Sequence, residues 1–419
     1  MRCISKQRGG TCPRAAFFCV LLRGFSAGGS FFSLDKVGAF CYSEGKEMTD
    51  IRDSNREQYV CRFPKRENDF RKGAFAAVID LHLHLDGSLS ARDVLQLASL
   101  SGVSLPPMPD GPHALDTLLV APPGGGSLGG YLQKFELPLS VLQTEQTITL
   151  AFRSLIMRLS CQGLCYAEIR FAPQLHCRGG LTQEQVVQAA VTGCAQGTEA
   201  CGLSVGLILC CMRGADNRAQ NMQTVALASQ YLHRFVCALD LAGDEARYPT
   251  NQFVDLFAAA HQEGVPLTIH AGEAAGAQSV WTALRCFARR IGHGVRAQED
   301  SSLLQRLREE QTVLEMCYTS NLQTGAAASA EAHPLARFLK AGLCVTLNTD
   351  NMTVSNTTLH KEYVRVQRQF SLTDEQLLQI ACNAAQGAFL PDGEKQRLQD
   401  TVKQNFFRWL HQDTDQSEC

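Results

Sequence analysis

The chain has 419 residues, of which 45% are hydrophobic and 19% are charged, values typical of a soluble protein with a sizeable core. Its 39 Lys and Arg nearly balance its 41 Asp and Glu, so the formal net charge of −2 speaks against a nucleic acid or another polyanion as partner. No run of about 18 apolar residues occurs in the sequence, which excludes a membrane-spanning helix.

The N-terminal residues 1–34 contain five basic residues and no acidic ones, with a short apolar stretch among them. This outline is typical of a secretory or transit signal, but a disordered extension or a start codon placed too far upstream gives the same pattern. We predict a basic, poorly ordered extension over residues 1–70 that is not necessarily native. The 18 cysteines favour a cytoplasmic protein over a secreted or organelle-targeted one, because Cys210 and Cys211 lie in an apolar run typical of reduced, buried thiols.

From residue 76 onward, short apolar or β-branched runs alternate with longer stretches that carry apolar residues at helical spacing. This alternation favours a parallel sheet with right-handed crossovers. Eight units fit a closed (β/α)8 barrel of the TIM type better than an open, doubly wound sheet. The eight predicted strands are residues 76–84, 165–172, 204–212, 236–242, 266–271, 290–295, 313–317 and 343–348.

The interval between the first two predicted strands is too long for a single crossover helix. It predicts a helical lid insertion over residues 86–160, in which the glycine-rich segment 122–130 is expected to form a flexible loop. This segment lacks the Gly-Lys-Ser/Thr ending of a phosphate-binding loop. After the eighth strand we predict C-terminal helices, the first of which starts with a capping box at residues 373–376. Residues 71–419 are therefore predicted to form one barrel domain.

Polar and charged residues stand at the C-terminal ends of four predicted strands. On the first strand, His82 and His84 are two residues apart and so point to the same face; such a pair is either incidental or metal-binding. Burying an unpaired charge is costly, and the C-terminal strand ends of a barrel all open on one face, so we expect these groups to share a site. The other groups at strand ends are His270, Glu273, His293, Asp350 and Asn351.

Three imidazoles and one carboxylate form a ligand set that zinc accepts while a further position stays open for water. The alternative for any single histidine is an ordinary core or loop residue. We adopt that interpretation for seven histidines: His113, His176, His233, His261, His333, His360 and His411. The predicted metal ligands are His82, His84, His270 and Asp350.

The string Asp-Leu-His-Leu-His-Leu-Asp-Gly-Ser-Leu at residues 80–89 resembles the opening motif of adenosine deaminases, within the metal-dependent amidohydrolase superfamily. Further motifs follow in family order, and several resemble bacterial-type sequences more than vertebrate ones. The resemblance implies hydrolytic deamination of adenosine and 2′-deoxyadenosine to inosine and ammonia, with one Zn²⁺ per chain, in purine salvage. The motifs that follow residues 80–89 in family order are residues 167–173, 209–213, 238–245, 270–273, 290–295, 319–324 and 347–350.

The resemblance also implies roles for the polar residues near the metal. Glu273 would donate a proton to purine N1, for which its pKa must be raised by a dry pocket. His293 would orient or deprotonate the water that attacks C6, and Asp350 would assist it. The backbone N–H of Gly243 would contact purine N3, although an ordinary turn is the alternative for this glycine.

Asp86 and Asn351 bear on the choice of substrate. By resemblance, Asp86 would bind the ribose 5′-hydroxyl with His84 nearby, whereas relatives that act on adenine usually have Glu there and those that act on N6-methyl-AMP usually have Asn. A carboxylate would also repel a 5′-phosphate, which favours a nucleoside. Asn351 departs from the family, which commonly has an Asp that donates to purine N7. An amide donates without protonation, so we expect that contact to survive.

Two alternatives to adenosine deamination remain open. One keeps the chemistry but acts on adenine or on a modified adenine nucleoside or nucleotide. The other is a non-catalytic binding or signalling protein on the same barrel; the joint presence of Glu273 and His293 argues against it, since a pure binder needs neither. We expect a small-molecule substrate and neither a nucleic acid nor a membrane as partner, while the oligomeric state stays open.

Overall fold

The computed structural model describes residues 76–106, 113–122 and 128–412. The chain divides into two units, Met1–Cys61 and Arg62–Cys419, and all described residues belong to the second. The predicted extension over residues 1–70 therefore lies outside the described residues. Within the described residues, no helix is long and apolar enough to cross a membrane, and the described cysteines are all free, with Cys210 and Cys211 buried as expected.

Eight parallel strands in the described part of the chain follow one another in sequence order. They are β1 (Val78–His84), β2 (Leu164–Phe171), β3 (Ser204–Met212), β4 (Val236–Ala242), β5 (Thr268–Ala271), β6 (Arg290–His293), β7 (Val313–Met316) and β8 (Val345–Leu347). Ladders join β1 to β4 and β5 to β8. The bridge between Leu239 and Leu267 connects β4 to the chain entering β5, and the bridge between Leu83 and Asp350 connects the chain leaving β8 to β1. The predicted (β/α)8 barrel is confirmed.

The strands alternate between two buried faces, as a parallel barrel requires. In β1, Ile79, Leu81 and Leu83 belong to the main apolar core, while Asp80 and His82 are also buried, on the alternate positions. The observed strand ends lie within two residues of the predicted ones: β3 and β4 match, β2 is shifted by one residue toward the N-terminus, and the other five strands are shorter. At β6 the cause is local, because His293 and Gly294 have φ of 62° and 69°, which ends an extended strand.

The helices cover the outside of the barrel and the insertion after β1. Those of the insertion are α1 (Ala91–Ser101), α2 (His113–Leu119), α3 (Leu128–Leu132), α4 (Glu136–Val141) and α5 (Glu145–Cys161). Those between later strands are α6 (Gln183–Cys201), α7 (Arg218–Gln230), α8 (Val254–Gln262), α9 (Ala277–Arg285), α10 (Ser301–Glu309), α11 (Tyr318–Gln323) and α12 (Leu335–Lys340). The C-terminal ones are α13 (Leu359–Phe370), α14 (Asp374–Gly387) and α15 (Asp392–Leu410). The helical insertion and the C-terminal helices are confirmed.

Two local predictions can be compared with these helices. The capping box is present at the start of α14, where the Thr373 side chain accepts from the N–H of Gln376. The loop predicted for residues 122–130 is wrong at its end, because residues 128–130 belong to α3; residues 123–127 lie outside the described residues. The helix carries Tyr131, which packs in an apolar cluster with Ala121 and Val354, and this burial offsets the low helix propensity of the two glycines before it.

Candidate active site

A cavity of about 320 Å³ opens at the C-terminal ends of the strands, where the active site of a barrel enzyme is expected. Eight of the nine predicted site residues line it, and the ninth, His82, is fully buried on β1 below its floor. The cavity wall opposite the polar groups is apolar and includes Leu132 and Phe135 from the insertion. The lining residues predicted from the sequence are His84, Asp86, Gly243, His270, Glu273, His293, Asp350 and Asn351.

Three of the four predicted metal ligands, His82, His84 and Asp350, offer donor atoms that lie within 4.8 Å of one another, and His270 lies beside His84. Nε2 of His84 lies 3.3 Å from Nε2 of His270, and Nε2 of His82 and of His84 each lie 3.5 Å from Oδ1 of Asp350. Donor atoms that are ~2.0–2.2 Å from a tetrahedral zinc stand ~3.3–3.6 Å from one another, so the observed spacing suits a single ion.

The hydrogen bonding of these ligands also fits a metal. Nε2 of His82 is buried and has no hydrogen-bond partner among the described residues, although an unpaired buried nitrogen is costly. Burial lowers the pKa of His82 to about 4 and holds the pKa of His84 well below its usual value, so both imidazoles are neutral and able to bind a cation. His293 and Cys317 offer further donor atoms within 4.8 Å of Asp350.

Two buried carboxylates that the sequence prediction does not include contact the Nδ1 atoms of two predicted ligand histidines. Nδ1 of His82 lies 2.8 Å from Oε2 of Glu315 on β7, and Nδ1 of His270 lies 2.8 Å from Oδ2 of Asp240 on β4. Each carboxylate can accept the Nδ1 proton, which leaves Nε2 of each ring free to face the cavity.

The guanidinium of Arg170, on β2, connects these two carboxylates. It donates to Asp240 over 2.9 Å and to Glu315 over 2.8 Å, and all three side chains are fully buried. Burial alone would raise the pKa of both carboxyls, but the charges of His270 and Arg170 at Asp240, and of Arg170 and Arg290 at Glu315, hold the pKa values below their usual range. The charge network therefore keeps the two carboxylates that contact His82 and His270 ionised.

Glu273 enters the cavity from the loop after β5. Burial raises its pKa and the nearby charge of Asp350 adds to the shift, although His293 opposes it. Its Oε2 lies 3.7 Å from Nε2 of His293. A raised pKa favours the protonated form of this carboxyl, which is a property expected of a general acid.

His293 is held by the amide of Asn321, on α11. Nδ2 of Asn321 donates to Nδ1 of His293 over 2.9 Å, and Oδ1 of the same amide lies 3.1 Å from Nε2 of His333. With Nδ1 accepting, a neutral His293 carries its proton on Nε2, which faces the cavity. His333, which we had treated as an ordinary core residue, therefore contributes indirectly by fixing Asn321.

Strained backbone occurs at two of the site residues. His293 and Asp350 have φ of 62° and 57°, a region that residues with a side chain enter at a cost of about 1–3 kcal/mol. At Asp350, the strained backbone is fixed by two hydrogen bonds to β1, in which His84 N–H donates to Asp350 O and Asp350 N–H donates to His82 O. These two bonds form the seam between β1 and the chain leaving β8, and they hold Asp350 so that its carboxylate faces His82 and His84.

Asp86 and Asn351 lie at the rim that faces the insertion. Burial raises the pKa of Asp86 to about 6, so this carboxyl is ionised at neutral pH. Nδ2 of Asn351 donates to Oδ1 of Asp350 over 2.7 Å, which leaves one N–H of the amide for another acceptor. The phenol of Tyr131, a cavity residue that sequence reasoning missed, lies 2.7 Å from Oγ of Ser355 beyond this rim.

The chain is similar to known proteins over most of its length. The family model for adenosine deaminase matches residues 78–405. The adenosine deaminase of Haemophilus ducreyi is 46% identical over 333 residues, which are 78% of this chain and 96% of that protein; that of Enterococcus faecalis is 38% identical over 328 residues, 78% and 96% of the two chains. Among solved structures, an adenine deaminase from Arthrobacter aurescens superposes with a TM-score of 0.73 at 27% identity, covering 79% of this chain and 99% of its own.

Proposed function

The chain belongs to the adenosine deaminase family, and from this premise we propose how its cavity deaminates adenosine to inosine and ammonia. It is a hydrolase of the amidohydrolase superfamily that acts on a C–N bond. The observation that supports the assignment of the site is the spacing of 3.3–3.5 Å that links donor atoms of three imidazoles and one carboxylate, beside a cavity that is also lined by the buried Glu273.

The residues that would hold the metal are His82, His84, His270 and Asp350. One Zn²⁺ per chain suits this donor set, because imidazole and carboxylate are common zinc ligands and the unpaired Nε2 of His82 needs a partner. When bound, zinc lowers the pKa of a water molecule toward ~7 and so supplies a nucleophile at neutral pH. The remaining chemistry belongs to side chains of the protein.

Glu273 is the proposed general acid. Attack at C6 turns purine N1 into a basic nitrogen, and a protonated carboxyl beside it donates the required proton. Burial raises the pKa of Glu273 and so favours the protonated form that the proposed role requires. Oε2 of Glu273 lies 3.7 Å from Nε2 of His293, which supports a role for the two side chains at the neighbouring atoms N1 and C6 of one purine.

His293 is proposed to orient the attacking water. Its Nε2 carries the proton when Nδ1 accepts from Asn321, so the ring donates a hydrogen bond to the water oxygen and points a lone pair of that oxygen toward C6. Asp350, held on its strained backbone, would take the proton that the water releases and pass it to the amino group, so that the C6–N bond breaks and ammonia leaves.

The base and sugar are proposed to bind along the cavity wall. The N–H of Gly243, which has φ of 106° and lines the cavity, would donate to purine N3. The amide NH2 of Asn351 would donate to N7. Asp86 would accept the 5′-hydroxyl, and its negative charge disfavours a 5′-phosphate. Adenosine and 2′-deoxyadenosine fit these contacts, and the free thiols of the described residues fit a cytoplasmic enzyme.

Adenine is the second candidate substrate, because the solved adenine deaminase shares the fold at 27% identity. Asp86 separates the two, since adenine has no hydroxyl to pair with it. The test is an absorbance assay of adenosine, 2′-deoxyadenosine, adenine and AMP, with metal analysis of the same protein before and after chelation. We expect about one zinc per chain and a much higher kcat/KM for adenosine than for adenine or AMP. Equal rates with adenine, or full activity after removal of all metal, would contradict the proposal.

A further inference from the structure

The buried carboxylate of Glu245 accepts a run of four consecutive backbone N–H groups. Its Oε1 accepts from Gly272 over 2.8 Å. Its Oε2 accepts from Glu273 over 3.0 Å, from Ala274 over 2.7 Å and from Ala275 over 3.0 Å. The side chain is 1% exposed, so water does not compete for these bonds. Four donors on two oxygens require a group that only accepts, which an ionised carboxylate is.

The loop after β5 is shaped to present these donors. Gly272 has φ of 72°, and a Cβ at this position would lie 2.7 Å from Cγ2 of Val280 on α9, so a residue with a side chain is excluded by both conformation and space. The turn at Gly272 aims the successive N–H groups of residues 272–275 at one point, in the manner of an anion-binding nest. Glu245 is the anion that this nest binds.

The same loop carries the proposed general acid. Glu273 contributes its backbone N–H to Glu245 and sends its side chain into the cavity, where its Oε2 lies 3.7 Å from Nε2 of His293. Glu245 itself follows the proposed purine-contacting Gly243 by two residues, on the loop after β4. The Glu245 carboxylate therefore connects the loop after β4, which carries Gly243, to the loop after β5, which carries Glu273.

We propose that Glu245 is a positioning residue for the deamination: by binding the backbone of residues 272–275 it fixes the direction in which Glu273 enters the cavity. This inference rests on the proposed function of the cavity. Glu245 is not among the residues that line the cavity, so it would act through Glu273. A shift of about 1 Å in a catalytic group can cost ~100-fold in rate, which sets the size of the expected effect.

Glu245→Gln is the sharpest substitution, because it keeps the size of the side chain and loses one acceptor. If the amide NH2 takes the place of Oε1, the hydrogen bond from Gly272 is lost. If it takes the place of Oε2, the three hydrogen bonds from residues 273–275 are lost. We expect kcat for adenosine to fall about 100-fold, with the dissociation constant of inosine little changed. Glu245→Asp keeps two acceptors on a shorter arm and should retain more activity than Gln.

The decisive kinetic comparison is a double-mutant cycle with Glu273→Gln. If Glu245 acts through Glu273, the Glu245→Gln/Glu273→Gln double variant turns over no more slowly than Glu273→Gln alone. If the effects of the two substitutions multiply, Glu245 acts by another route and the proposal is wrong. Should Glu245→Gln fail to fold, the same cycle is run with Glu245→Asp.

Hydrogen exchange tests the anchor without reference to activity. Glu245→Gln should speed exchange at the amides of residues 272–275 and leave the rest of the barrel at wild-type rates; unchanged exchange in this loop overturns the inference. Asp93→Asn is the matched control, since this buried carboxylate also accepts several hydrogen bonds but lies in α1, and it should lower the melting temperature without a fall in kcat. A wild-type protein inactive on adenosine would refute the proposed function, while the exchange experiment still decides the role of Glu245.

Discussion

Asp240→Asn should weaken metal binding more than it perturbs the rest of the site. The substitution removes a negative charge that lies 2.8 Å from Nδ1 of His270 and 2.9 Å from the guanidinium of Arg170. Loss of a carboxylate that orients a metal-bound histidine typically costs 10–100-fold in metal affinity, about 1.4–2.7 kcal/mol. An amide oxygen still accepts from His270, so we expect the middle of this range.

The same substitution also costs folding stability. Breaking one partner of a buried ion pair costs about 3–5 kcal/mol, and Arg170 keeps its second partner, Glu315, at 2.8 Å. The lower end, about 3 kcal/mol, is therefore expected for the free energy of unfolding. The pKa of His270, which Asp240 raises against the opposing effect of burial, should fall in the variant.

The assay is a competition titration of metal-free protein against a chromophoric chelator, with urea unfolding measured on the same samples. Glu168→Gln is the matched control, because Glu168 is equally buried and pairs with Arg290 over 2.6 Å but contacts none of the proposed ligands. It should lose stability and keep its zinc affinity. Two results would refute the proposal that Asp240 supports metal binding while Glu168 contributes only to stability. One is an Asp240→Asn variant that folds and binds zinc as tightly as the wild type; the other is an equal loss of zinc affinity in both variants.

Three further outcomes are expected. Glu273→Gln should lower kcat by ~10²–10⁴-fold with little change in KM; since the raised pKa of Glu273 means that its proton is lost as the pH rises through that value, the wild type should lose activity on the alkaline side and the variant should not, which a pH–rate profile checks. Asp86→Ala should raise KM for adenosine and leave kcat/KM for adenine nearly unchanged, measured in paired steady-state assays; equal losses on both would exclude a ribose contact. Asn351→Asp should keep measurable activity but shift its pH profile toward acid, because a carboxyl beside Asp350 must be protonated to donate; an unchanged profile would count against the N7 contact.

The sequence predicts the barrel well because its signals are local. Each strand is a short apolar run with polar residues at its C-terminal end, and the topology of a barrel brings those ends together whatever their separation along the chain. His82, His270 and Asp350 were found in this way. The ends of individual strands were less predictable, since positive φ at His293 depends on tertiary contacts rather than on residue type.

The supporting residues were missed for a different reason. Asp240 and Glu315 precede the last residues of their strands, so they are not among the strand-end groups from which the site was predicted. Their presence at inward positions of buried runs was a usable signal, because a buried charge requires a partner. The sequence does not predict which histidine each carboxylate contacts. His82 and Glu315 are 233 positions apart, and their pairing depends on the order of the strands around the barrel.

The insertion gives the opposite case. Tyr131 follows glycines that predict a loop, and its contact with Ser355 joins two segments that share no periodic pattern. Glu245 lies within a recognised motif, yet its four backbone partners come from the next strand's loop and are invisible to side-chain patterns. Contacts of side chains with distant backbone are therefore the part of this site that required coordinates.

The seam between Leu83 and Asp350 has a consequence for biosynthesis. Two imidazole donors come from the first strand of the barrel, whereas the carboxylate donor arrives only when the chain leaving the eighth strand pairs with the first. A nascent polypeptide emerging from the ribosome thus lacks the complete donor set until nearly the whole barrel has been translated and sealed. If this donor set binds a metal ion as proposed, the ion is acquired late in maturation, and the free energy of its coordination stabilises the long-range closure of the barrel.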